Sequence, residues 1–142
     1  MQTYKSATAP DVRPLIEQQI RSEISEGHYR IVTSKPPIVS ALQGAIPKPN
    51  SAKYRLIHDC SRPLDKAVND YAVHTKFSYQ RLDEAVLSLR PQVYLAKVDH
   101  SSVYRSVRSH PSNYSATGLQ WHFSGAATPT FLNDTRLPLG AS

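Results

Sequence analysis

Lys48, Lys53 and Arg55 crowd around the turn-forming run Pro49-Asn50-Ser51-Ala52. From Gly44 to Lys66 the cations are Lys48, Lys53, Arg55, Arg62 and Lys66, against the carboxylates Asp59 and Asp65. Such a cluster can hold a triphosphate or a nucleic-acid backbone, with arginine offering a planar fork and lysine a point charge. Charged hairpins also discourage edge-to-edge pairing, so a solvated surface explains the same residues. Asp99 closes the apolar run Tyr94-Leu95-Ala96-Lys97-Val98. A carboxylate at a strand tip is placed either to hold a hard cation such as Mg²⁺ or to cap the helical turn that follows. Tyr104 lies one turn further on, where its ring can fold back beside Asp99 and meet a sugar, or simply pack.

Other chemistry finds less support. His58 and Cys60 are one residue apart, but Cys60 is the single cysteine, so neither a paired zinc motif nor an internal disulfide is available. No G-x-S-x-G nucleophile turn and no G-x-x-x-x-G-K-[ST] phosphate loop occurs.

Positioning these residues requires a mixed set of elements. Val12, Ile16, Ile20 and Ile24 recur at helical spacing, with Asp11 as N-cap and Gly27 as stop. Tyr29 to Thr33 reads as a short strand, and Lys35-Pro36-Pro37 as an extended connection. Leu42–Lys48 and Lys53–Asp59 read as the two arms of a β-hairpin. Residues 61–77 are irregular. Leu82, Ala85, Val86 and Leu89 mark a second helix, capped by Ser78 and ended by Pro91. Tyr94–Asp99 reads as a buried strand, Ser101–Val107 as one or two helical turns, and Leu119–Phe123 and Thr130–Leu132 as further strands.

At 142 residues, with 39% hydrophobic and 20% charged residues, the chain has room for one ordinary domain with a modest core. Eleven prolines disfavour long helices. The net charge of +6 favours polyanionic partners. No apolar run is long enough to span a membrane, and the polar first ten residues lack a signal-peptide pattern. The expected location is therefore intracellular, nuclear or cytoplasmic, and not secreted.

Three segments together resemble a known family. Gly44-Ala45-Ile46-Pro47-Lys48, then Lys53-Tyr54-Arg55-Leu56-Ile57-His58-Asp59-Cys60-Ser61, closed by Val68-Asn69-Asp70, is similar to the fingers of retrotransposon reverse transcriptases of the DIRS-like kind. Leu95-Ala96-Lys97-Val98-Asp99-His100-Ser101-Ser102-Val103-Tyr104-Arg105, followed by His110-Pro111, resembles that family's first palm motif. Leu137-Pro138-Leu139-Gly140 resembles its L-P-F-G segment. Departures include His100, Val103, Leu139 and Tyr54, where the family usually has an apolar residue, Ala, Phe or Gln, and Trp.

The resemblance implies an α/β (α+β) fold: a flexible lead-in over 1–10, a fingers-like hairpin with helices over 11–90, and an incomplete ferredoxin-like palm over 91–142. It implies template-directed nucleotidyl transfer with two Mg²⁺ ions, acting on an RNA or DNA template-primer and a deoxynucleoside triphosphate. Asp99 would be the first metal-binding and catalytic carboxylate. Lys48 and Arg55 would meet the triphosphate and Lys53 the template. Tyr104 would lie beneath the sugar, and Leu139 and Gly140 would line the nucleotide pocket. The family's Y-x-D-D segment, which carries the other carboxylates, falls downstream of L-P-x-G and does not occur here; Asp134 lies outside that motif. These residues alone are expected to show little polymerase activity. The alternative is a non-catalytic nucleic-acid-binding domain derived from such an enzyme.

Overall fold

The computed structural model describes residues 5–33, 39–40, 42–62, 64–73 and 78–138. It is mixed α/β, with several helices around two small sheets. The first residues described, expected as flexible, hold a short helix α1 (Lys5–Thr8), and Ala7 is fully buried. Helix α2 (Arg13–Ser25) comes next. Its N-cap is Val12 rather than Asp11, and no side chain caps it. Pro14 in the first turn sits where the missing N–H has no intrahelical partner to lose. Gly27 ends the helix as expected, in the left-handed conformation (φ +73°). There its N–H donates to the Ile24 carbonyl at 3.0 Å and that of His28 to the Glu23 carbonyl at 2.9 Å, a Schellman closure.

Strands β1 (Tyr29–Ile31), β2 (Val39–Ser40), β5 (Gly118–Trp121) and β6 (Thr130–Asp134) form a sheet in the order β1-β6-β5-β2. β6 pairs antiparallel with both neighbours, and β2 runs parallel to β5 at the edge. This sheet draws strands from both sides of residue 91. Strands β3 (Leu42–Pro47) and β4 (Tyr54–His58) form the expected hairpin, with a register irregularity between Leu42 and Gly44.

One apolar cluster joins these parts: Ile16 and Ile20 from α2, Leu56 from β4, and Leu119, Trp121 and Leu132 from the sheet, with Tyr29 beside them. Burying a side chain such as Ile16 or Ile20 stabilises by roughly 1.5–3 kcal/mol, which is how a polar-flanked helix is fixed to the sheet. Glu17 accepts from the N–H and hydroxyl of Ser124, both at 2.9 Å, and so ties the flank of the buried face of α2 to the segment after β5.

Residues 78–104 behave differently. All of them are exposed. Helix α3 (Leu82–Leu87) is shorter than expected and buries none of its residues. Arg81 takes the N-cap position, its N–H donating to Glu84 Oε2 at 3.2 Å. The strand expected over Tyr94–Asp99 is not formed, and Leu95 and Val98 are exposed. A strand needs a partner to complete its hydrogen bonds, and no described strand pairs with this run.

The candidate nucleotide cavity

The hairpin turn explains how its cations are presented. Lys48 N–H donates to the Lys53 carbonyl at 2.9 Å, Asn50 takes φ +57°, and Lys53 N–H reaches Ser51 Oγ at 3.1 Å. Asparagine tolerates that left-handed step better than most side chains. On β4 the alternation puts Leu56 and His58 inward and leaves Arg55 outward, opposite Ile46. Lys48 is half-buried at the hairpin's end, and Lys53 is exposed.

A second stretch comes round to meet the hairpin. Ser102 adopts φ +53°, ψ +47°, reversing the chain into α4 (Val103–Ser106). The helical turn expected after Asp99 is thus present, but Ser102, not Asp99, occupies its N-cap. Backbone bonds from Ser109 to Thr135 (3.0 Å) and from Leu137 to Val107 (3.0 Å) tie the residues after α4 to the end of the sheet.

The two stretches face one cavity of about 480 Å³, within the size range of small-molecule sites. Lys48 and Arg55 line it from the hairpin, His100 and Tyr104 from the second stretch, and Tyr29 and His58 from the interior. Lys48, Arg55 and Tyr104, which the resemblance groups in one site, line this one cavity from two separate segments. Lys53 is not among its lining residues; it lines an adjoining cavity of about 420 Å³ along α2, which also includes Lys48, Tyr54 and Ser102. Asp99 lines neither and is exposed, although its neighbour His100 is in the wall. Leu139 and Gly140 lie outside the described residues.

Behind the cavity stands a charged network that sequence reasoning missed. Asp134, at the end of β6, is completely buried. Its Oδ2 accepts from Arg105 Nη1 at 2.7 Å and its Oδ1 from the Arg136 N–H at 2.9 Å. Arg105 Nε and Nη2 also donate to Glu23 Oε2, at 3.1 and 2.7 Å, and the guanidinium lies 5.2 Å from the centre of the Tyr29 ring. The same Glu23 oxygen is 2.9 Å from His28 Nδ1. Tyr29 Oη and His58 Nε2 are 3.0 Å apart. Burial pushes the Asp134 carboxyl above the usual range, and its bonds to Arg105 pull it back. The guanidinium itself is held charged: desolvation opposes this, and the Asp134 bond, then the Asp134 and Glu23 charges, outweigh it. His58 is neutral, its pKa lowered to about 4 by desolvation and then by Arg105. Its 3.9 Å approach to Asp134 is therefore not an ion pair. His58 Nδ1 is buried and has no hydrogen-bond partner among the described residues.

The arrangement suits an anionic ligand with a ring or sugar: Lys48 and Arg55 supply charge and Tyr29, Tyr54 and Tyr104 supply flat faces, while the Arg105 guanidinium is taken up by Glu23 and Asp134. It does not fit a two-magnesium centre. Among the described residues no group of three or more His, Cys, Asp or Glu side chains could hold a metal ion, and one exposed carboxylate cannot fix two cations. Nor, among the described residues, is any helix long and apolar enough to cross a membrane. No protein-family model matches the chain, and no curated protein matches it in sequence.

Proposed function

We propose that this chain carries the fingers and opening palm of a reverse-transcriptase-like polymerase, and that the 480 Å³ cavity receives a deoxynucleoside triphosphate. One observation carries the reading: Lys48 and Arg55 from the hairpin and Tyr104 from a distant segment line the same cavity. Lys48 and Arg55 take the phosphates, Tyr104 packs against the sugar, and Lys53, one cavity further along α2, faces the template strand. Asp99 is the first magnesium ligand of the complete site, and further carboxylates are needed before any cation is held. The parent activity is template-directed DNA synthesis on an RNA or DNA primer-template. These 142 residues, without a Y-x-D-D, bind nucleotide and do not extend a primer.

The test is direct binding of a deoxynucleoside triphosphate, followed by titration calorimetry. Lys48→Ala and Arg55→Ala are each expected to weaken binding about tenfold, a charge-assisted contact apiece. Their thermal melts should match the parent, because neither side chain is in the core. Unchanged affinity in both variants overturns the reading, as does primer extension with Mg²⁺ that disappears in Asp99→Ala.

The exposure of Asp99 away from both cavities favours one second reading: a nucleic-acid-binding module without catalysis. It predicts salt-sensitive primer-template binding that added nucleotide leaves unchanged.

A further inference from the structure

We propose that Arg105 is a positioning residue: its side chain fixes the α4 turn so that Tyr104 forms a wall of the nucleotide cavity. The inference deepens the proposed nucleotide reading and rests on it only for the identity of the ligand. Every residue from 78 to 104 is exposed, and Arg105 is where this stretch first sinks into the body. It reaches three elements at once: Asp134 on β6, Glu23 on α2, and the Tyr29 ring on β1. Tyr104, immediately before it, makes no hydrogen bond or ion pair of this kind among the described residues and is 44% exposed. A planar fork held by two carboxylates in a largely buried setting permits few orientations, whereas a lysine there would keep the charge and lose the geometry. The backbone of the turn obeys the same anchor, with Arg105 N–H on the Ser102 carbonyl at 2.8 Å. Ser102 itself is held in the left-handed conformation, which a serine leaves readily once the restraint goes.

The test combines hydrogen exchange with triphosphate binding in Arg105→Lys, with Glu23→Gln as a milder variant should the lysine chain fail to melt cooperatively. Exchange at the Arg105 and Ser106 amides is expected to rise at least tenfold while β5 and β6 stay protected. Deoxynucleoside triphosphate affinity is expected to fall about tenfold, and this loss should vanish in a Tyr104→Ala background, because coupled residues are not additive. Unchanged exchange at α4 overturns the inference, and so does an affinity loss that simply adds to that of Tyr104→Ala. If exchange rises as expected but the unsubstituted chain binds no triphosphate, the anchor stands and the nucleotide reading falls.

Discussion

Helices α2 and α3 carry the same kind of apolar spacing, yet they end differently. α2 buries Ile16 and Ile20 against two sheets. α3 buries nothing, and Leu82 and Leu87 remain more than four-fifths exposed. Periodicity tells which face of a helix is apolar; it does not supply the surface that covers it. The body of this molecule gets its order from a sheet whose strands come from both ends of the chain. The stretch over 78–104 buries no residue, and Arg105 at its end is paired with Asp134 of the sheet.

This contrast is open to direct measurement. The largest effect is expected at the junction of the two regions. Arg105→Ala leaves the buried Asp134 carboxylate without its cationic partner, a change that typically destabilises by about 3–5 kcal/mol. Denaturant unfolding should show it, with much of the loss recovered in Arg105→Ala/Asp134→Leu, which removes the charge as well. A loss below about 1 kcal/mol would mean that the two regions are not joined through this pair.

Next comes the buried imidazole. The folded pKa of His58 is about 4, against 6.5 for the ordinary residue. Its contribution is complete above pH 6.5 and is lost as pH falls toward 4, because the unfolded chain takes up the proton first. The integrated loss is about 3 kcal/mol. Asp134, with its raised pKa, acts in the opposite sense near the acid end of that window. Melts between pH 7 and 4 should therefore show a slope that His58→Gln flattens. A pH-independent melt would place the imidazole in water.

The core contact of α2 gives a comparable change and α3 the smallest. Ile20→Ala is expected to cost about 2–5 kcal/mol and Leu87→Ala less than about 0.5 kcal/mol, read as a shift in denaturant midpoint at unchanged slope. Equal effects at the two positions would show that α3 is packed after all.

Much of this was legible in the residues. The β3–β4 hairpin arises from alternation on either side of a Pro-Asn-Ser turn, and Gly27 marks the end of α2 because the chain needs a positive φ there. Both signals are local. Two motifs of the resemblance group Lys48, Arg55 and Tyr104, which line one cavity, with Asp99, which does not. Two features were not. Tyr94–Asp99 has the composition of a buried strand, but a short apolar run carries no information on whether a neighbouring strand awaits it. Asp134 reads as an ordinary charged residue at a strand end; its meaning depends on Arg105, 29 positions earlier, and on Glu23, a further 82 before that. A buried charge is recognised by its partners, and partners this distant leave no spacing to read.

Just past β4, Cys60 is 2% exposed, and desolvation, reinforced by Asp59 and Asp134, pushes its thiol up to about 11. The reactive thiolate is thus both scarce and out of reach while the chain is folded. Since Cys60 is the single cysteine of these 142 residues, a disulfide through it joins two molecules, and both must first open at the hairpin's end to expose the thiol. A disulfide-linked dimer through Cys60 would therefore be a record of past opening.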